Sequence, residues 1–190
     1  EDSTVVDVGA HIGTFTIPTS KKAKRVYAFE PVIETFQRLT DHILINNSTN
    51  IIPFNFALGD VQTSAELDYM PLFNTGGATL TISRGSLPIR NLGEEHNPPK
   101  YNILVKPLDD LDLPALDVMK CDTEGCELLV IKGAIETIKK FRPVMILEHN
   151  DLSEMEEIMS LFAENDLSYI CQQIEDPSTD QNTDYLYTPL

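Results

Sequence analysis

No run of about 18 apolar residues occurs anywhere in the 190-residue chain, so nothing in it reads as a membrane-spanning helix. The opening Glu1-Asp2-Ser3 shows neither the basic nor the apolar region of a secretory signal. Basic residues are scarce: 14 Lys and Arg against 30 Asp and Glu leave a net charge of −16. That balance makes nucleic acid and anionic membrane surfaces poor partners and describes a solvated acidic surface. Cysteine is rarer still, with Cys121, Cys126 and Cys171 odd in number and without zinc-type spacing. They read as reduced thiols, which points to a cytoplasmic setting. Neither an internal repeat nor a linker divides the chain, so a single domain over residues 1–190 is expected. An initiator methionine is also missing, and the first apolar strand starts almost at once. The expectation is therefore a domain excised from a longer chain, with fusion to other catalytic domains as one form of it.

What is present is ordinary for a globular fold, 42% hydrophobic and 23% charged residues, and 190 residues suffice to bury a core. The informative segment is Val5-Val6-Asp7-Val8-Gly9-Ala10-His11-Ile12-Gly13, an apolar strand running into a glycine turn. A second apolar strand at 25–29 ends at Glu30-Pro31, which puts an acid 21 residues after Gly9. A carboxylate there suits hydrogen bonding to both hydroxyls of a ribose. A dinucleotide fold, however, wants Gly-x-Gly-x-x-Gly with a pyrophosphate at the following helix. Here the spacing is Gly9-x-x-x-Gly13, Asp7 precedes it, and no lysine or arginine lies in the loop. An acidic loop repels pyrophosphate and tolerates a cationic sulfonium, so the loop reads as a site for S-adenosylmethionine.

Further along, residues 32–46 carry Phe36, Leu39, Ile43 and Leu44 at helical spacing, and 51–57 reads as a third strand. Residues 61–106 break the rhythm: a short strand at 65–70, the turn Asn74-Thr75-Gly76-Gly77, then the irregular stretch 86–100. This insertion reads as a loop covering the substrate or as disorder. A fourth strand (116–121), one helix (126–141), a fifth strand (144–147) and a helix (153–165) opened by Ser153 and Glu156 restore the alternation. Runs at 167–174 and 185–188 lie too close for a crossover helix and must pair as an antiparallel hairpin. A parallel α/β sheet ending in such a hairpin is the methyltransferase variant of the doubly wound fold.

The chain resembles the FkbM family of S-adenosylmethionine-dependent methyltransferases. The resemblance is carried by Val6–Gly13, by Ala28-Phe29-Glu30-Pro31, by Ala57-Leu58-Gly59-Asp60, and by Gly76-Gly77-Ala78-Thr79-Leu80. Leu108-Asp109-Asp110-Leu111 and Met119-Lys120-Cys121-Asp122-Thr123-Glu124-Gly125-Cys126-Glu127 continue it, with Lys132-Gly133-Ala134, Pro143 and Ile146-Leu147-Glu148 at the end. It spans roughly residues 4–150. Two features depart from the family pattern: Pro18 in a short helix after Gly13, and no segment ahead of the first strand. The resemblance implies a Rossmann-like class I methyltransferase fold with a mostly parallel seven-stranded sheet and a C-terminal antiparallel hairpin. It also implies methyl transfer to an oxygen of a small molecule or glycan.

Ligands of open α/β sheets bind at the carboxyl ends of the strands. There the candidate cofactor-binding residues are Asp7, Gly9, Ala10, His11 and Gly13 after strand one, and Glu30 and Pro31 after strand two. Asn55, Ala57 and Leu58, at the end of strand three, edge the adenine; Asp122 and Glu124 follow strand four. Asp122 and His149 are expected to face the pocket mouth as the pair that deprotonates the acceptor. Asp122, Glu124 and Glu148 could instead bind the cofactor's ammonium. Asp122, Glu148 and His149 could also hold a divalent cation, with Asn150 nearby, since oxygen ligands suit magnesium. Glu127 reads as an acid stabilising the start of a helix, and Lys120 as structural. Two other functions remain open to the sequence, a nicotinamide-dependent oxidoreductase and a cofactor-binding module without turnover. The glycine spacing and terminal hairpin disfavour the first, and the paired acidic strand ends the second.

Overall fold

The computed structural model describes residues 2–69, 78–81, 100–149, 152–174 and 184–190. Its centre is β1 (Thr4–Val8), buried at all five positions, as a strand covered by helices on both faces must be. β2 (Arg25–Phe29) and β3 (Ile51–Phe54) extend the sheet in parallel on one side. β8 (Val118–Cys121) and β9 (Val144–Glu148) extend it in parallel on the other. β11 (Asp184–Pro189) then pairs antiparallel with both β9 and β10 (Tyr169–Gln173). The order is β10-β11-β9-β8-β1-β2-β3, the seven-stranded, mostly parallel sheet with an antiparallel hairpin expected from the sequence.

Register decides where the site falls. Val8 stands opposite Phe29 on one side and Cys121 on the other, so β1, β2 and β8 end level. Gly9, Glu30 and Asp122 therefore leave the sheet together. The chain turns one way after β1 and the other way at β8, and the crevice opens at that reversal. One face of the sheet buries Val6, Phe29, Met119 and Met145 against Val130, Ile138 and Phe162 of the helices. The opposite face buries Val5, Ala28 and Ile51 against Leu39 of α2 (Ile33–Ile45).

Four sequence expectations need correction. The third strand does not continue to residue 57. It stops at Phe54, where the Asn55 amide donates to the Glu30 and Pro31 carbonyls at 2.9 and 3.0 Å and turns the chain. β4 (Ala57–Leu58) instead joins a second sheet with β5 (Thr63–Tyr69), β6 (Ala78–Thr81) and β7 (Lys100–Lys106), in the order β4-β7-β5-β6. Within the expected insertion, 78–81 and 100–106 are thus paired strand besides the short one expected at 65–70. The Asn74–Gly77 turn and residues 82–99 lie outside the described residues.

The long helix is two, α3 (Glu127–Lys132) and α4 (Ile135–Phe141). Gly133 lies so close to Gly59 that a Cβ would come within 1.9 Å of its carbonyl oxygen. Asp109 then caps the second helix, accepting from the Glu136 and Thr137 N–H groups at 3.0 and 2.7 Å. Ser153 is inside α5 (Leu152–Glu164) rather than its cap. The helix after Gly13 is the single turn α1 (Thr16–Ser20), containing Pro18. Among the described residues no helix is long and apolar enough to cross a membrane.

Candidate active site

The loop after β1 is fastened to β2 by its backbone. The Gly9 and Ala10 N–H groups both donate to the Phe29 carbonyl, at 3.1 and 2.9 Å. Gly9 has φ +78°, and a Cβ there would stand 1.9 Å from the Asp122 carbonyl oxygen, so only glycine lets β1 and β8 end side by side. His11, in the left-handed region at φ 51°, turns its N–H to Glu30 Oε2 at 2.9 Å. The Val32 N–H donates to Glu30 Oε1, also at 2.9 Å. Glu30 is 6% exposed, and burial pushes its carboxyl up to about 7 although both backbone bonds oppose that. Each oxygen has taken one donor and keeps an acceptor position.

Across the crevice, Lys120 Nζ lies 2.8 Å from Asp122 Oδ2 and 5.8 Å from the centre of the Phe15 ring. Burial works against its charge, but the carboxylates of Asp122 and Asp7 outweigh it and hold the ammonium above its usual pKa. Asp7 pairs across the ladder with Lys120 and is fully buried. Thr16 donates its hydroxyl to one oxygen, and the other has no hydrogen-bond partner among the described residues. Burial raises the Asp7 pKa against the attraction of Lys120.

Glu127 organises the turn after β8. Its carboxylate accepts from the Thr123 N–H at 2.6 Å, the Thr123 hydroxyl at 2.8 Å and the Gly125 N–H at 3.1 Å. Those bonds hold Glu124 and Gly125 at φ 58° and 105°, and burial raises the pKa of Glu127. The carboxylate is therefore a brace for the loop as well as a helix-end charge.

Between these two edges lies one cavity, walled by Phe29, Val32, Ala57, Leu58, Leu67 and Cys126 on its apolar side. Of the residues singled out from sequence, Gly9, Ala10, His11, Glu30, Pro31, Ala57, Leu58, Asp122 and Glu124 line it. Asp7 is instead locked into the β1–β8 ladder, and Gly13 packs its backbone toward Leu39 and Ile17. Asn55 spends its amide on the two carbonyls described above.

The expectation that His149 faces the pocket mouth is corrected. Its ring is enclosed between Tyr187, whose hydroxyl is 2.8 Å from Nε2, and Glu154, 3.4 Å from Nδ1. The cause is β11, which inserts beside β9 and brings Tyr187, opposite Met145 in the ladder, within hydrogen-bond reach of the ring. Glu148 does not line the cavity either. Among the described residues no three His, Cys, Asp or Glu side chains converge as a metal site requires, so Asp122, Glu148 and His149 do not form one. Asn150, placed beside them from sequence, lies outside the described residues.

Sequence reasoning read Lys120 as structural and did not place it, Phe15, Thr14, Leu67 or Cys126 on the wall. Lys120 could have been found: it stands two residues before Asp122, and a strand's period of two puts both on one face. Leu67 could not, because it arrives from the second sheet.

A sheet in this order, opening the Glu30 carboxylate and an acidic strand end into one cavity at the point of reversal, is that of the Rossmann-like methyltransferases. The chain belongs to the FkbM family of that class: the family model described as Methyltransferase FkbM domain matches residues 7–171. The hexuronic acid methyltransferase AglP of Haloferax volcanii is 29% identical over 169 residues, 88% of this chain and 64% of AglP. The chain thus spans somewhat under two thirds of that curated relative. The crystal structure of methyltransferase FkbM from Methylobacillus flagellatus superposes with a TM-score of 0.68 at 20% identity, covering 98% of this chain and 43% of that one. SMU.1697c from Streptococcus mutans, solved in complex with SAH, superposes at 0.54 with 10% identity, covering 98% and 87%.

Proposed function

We propose that the domain is an S-adenosylmethionine-dependent O-methyltransferase whose acceptor is a hydroxyl of a sugar, glycan or secondary metabolite. The observation that carries this reading is the cavity itself, where a carboxylate with free acceptor positions, an apolar slot and a Lys–Asp pair meet at three level strand ends. The donor set fits the cofactor. Glu30 can accept from a ribose diol, the walls from Val32 to Leu67 suit an adenine, and Asp122 and Glu124 favour a sulfonium over a phosphate. When bound, S-adenosylmethionine supplies an electrophilic methyl group on a positively charged sulfur. SAH, held by the Streptococcus mutans neighbour, is the demethylated form of that molecule, and AglP is named for a sugar acid; both accord with this reading.

The protein's share of the chemistry is alignment and proton removal. Glu30 and the Gly9–His11 backbone fix one end of the cavity, and Glu127 holds the turn that presents Asp122 and Glu124 at the other. Asp122, on the cavity wall, accepts the proton from the acceptor hydroxyl; His149, enclosed by Tyr187 and Glu154, has no part in that step. An excess of 16 negative charges favours a small-molecule or glycan acceptor over a nucleic acid. The test is calorimetric titration with S-adenosylmethionine and with NAD, followed by methyl release on a panel of glycans. Binding of the first alone, with turnover on a sugar hydroxyl, is the expected result. Binding of NAD, or cofactor binding with no methyl release on any acceptor class, would overturn it. Asp122→Asn should then lower kcat by about 100-fold or more, as loss of a proton acceptor does, with affinity for S-adenosylhomocysteine, which lacks the sulfonium charge, changed little.

A further inference from the structure

Among the described residues that line the cavity, Lys120 is the one lysine or arginine. A cation in a cavity otherwise edged by Glu30, Asp122 and Glu124 calls for an explanation beyond charge balance. Its ammonium has three donors, and one faces Asp122 at 2.8 Å. Asp7, its neighbour across the ladder, attracts the ammonium but makes no hydrogen bond to it: one oxygen takes the Thr16 hydroxyl and the other has no partner among the described residues. The Lys120 side chain is only 17% exposed, so water does little to satisfy the remaining donors. Phe15, from the loop after β1, lies over the ammonium at 5.8 Å, and both residues line the cavity.

We infer that Lys120 is the receptor for the α-carboxylate of the cofactor's amino-acid end, a reading that rests on the S-adenosylmethionine proposal above. Position separates this from a role with the acceptor. Lys120 belongs to the strand itself, level with Asp7 in the ladder, whereas Asp122 and Glu124 stand beyond the strand end. An acceptor entering past the strand ends meets those two residues before the lysine. Glu30 terminates the neighbouring strand on the far side of β1, so the crevice between Glu30 and Lys120 runs from a ribose carboxylate to a carboxylate-binding cation. Its two polar ends match a molecule with a diol at one end and an amino acid at the other. A charge-assisted contact of this kind, made in a partly enclosed site, is stronger than its neutral counterpart.

The experiment compares two ligands that share the adenosine portion and differ in the amino-acid end. Wild type, Lys120→Met and Lys120→Arg are titrated calorimetrically with S-adenosylhomocysteine and with 5′-methylthioadenosine, which lacks the carboxylate. Lys120→Met should weaken the first by about tenfold or more and leave the second within about twofold, while Lys120→Arg retains most of the first. Retained binding of 5′-methylthioadenosine also shows that the variant is folded. Equal weakening of both ligands would make Lys120 a structural residue and overturn the inference. Unchanged affinity for S-adenosylhomocysteine with a raised KM for the acceptor would also overturn it, assigning the lysine to the acceptor. Failure of the wild type to bind either ligand would instead remove the cofactor reading, and this inference with it.

Discussion

Glu30 sits where burial has brought its carboxyl to about 7, so modest changes in pH or in its neighbours change its charge. Its pKa is higher folded than the ordinary 4.5, so the folded chain holds more protons than the unfolded chain between those values. Stability from this group is therefore full below about pH 4.5 and is lost as pH rises through about 7. The loss is on the order of 3 kcal/mol for this carboxyl alone, and Asp7 and Glu127, also raised by burial, act in the same direction. Denaturant unfolding of the ligand-free domain at pH 5 and pH 8 should show this decline, and Glu30→Gln should flatten it. An equal slope in both proteins would assign the decline to the other two acids.

In the ribose role proposed for it the same residue works the other way, since a diol donates best to the ionised form. Glu30→Ala should raise the dissociation constant for S-adenosylmethionine at least about tenfold at pH 8, because a charge-assisted bond is worth roughly 1.5–3 kcal/mol. An unchanged constant by calorimetry would refute the assignment. That Glu30 reaches the cavity was readable from the sequence, because an acid directly after the second apolar strand leaves the sheet level with the glycine loop. Buried His149 was not, since the Tyr187 hydroxyl that claims it lies 38 residues away on another strand.

The helical segment after Gly125 shows how one close contact reshapes an element. Periodicity from Leu129 to Ile138 is continuous and gives no hint of a break. The interruption comes from Gly59, far away in sequence, whose backbone occupies the space beside Gly133. Gly133→Ala should therefore destabilise the domain by several kcal/mol, with no soft side chain to yield, despite the better helix propensity of alanine. A neutral or stabilising effect in thermal unfolding would show that the two loops part easily. Asp109→Ala, which uncaps α4, should cost about 1 kcal/mol, in the usual range for a lost N-cap, and leave cofactor affinity unchanged. The parallel strands were legible as apolar runs, and β1 and β2 have the bounds their sequences suggest. Of the second sheet, the strand read at 65–70 was legible as β5; the rest was not, because its strands are defined by partners such as Val105 opposite Ala57 rather than by local pattern.

At the scale of the whole molecule, 30 acidic residues against 14 basic ones repel one another in the compact state. Moderate salt should raise the melting temperature by screening that repulsion, and a fall would mean that ion pairs such as Lys120–Asp122 matter more than the net charge. The position of β11 bears on how the molecule is made. It is later in the chain than β10 yet lies inside it, between β10 and β9. On a ribosome, β10 emerges with no strand of the growing sheet to bond, and Tyr187 is not yet there to close over His149. The nascent sheet must wait with β9 as a bare hydrogen-bonding edge, the condition under which unfinished chains adhere to one another. Synthesis halted before Asp184 should thus yield a product that partitions with chaperones or aggregates, while a few residues more restore solubility.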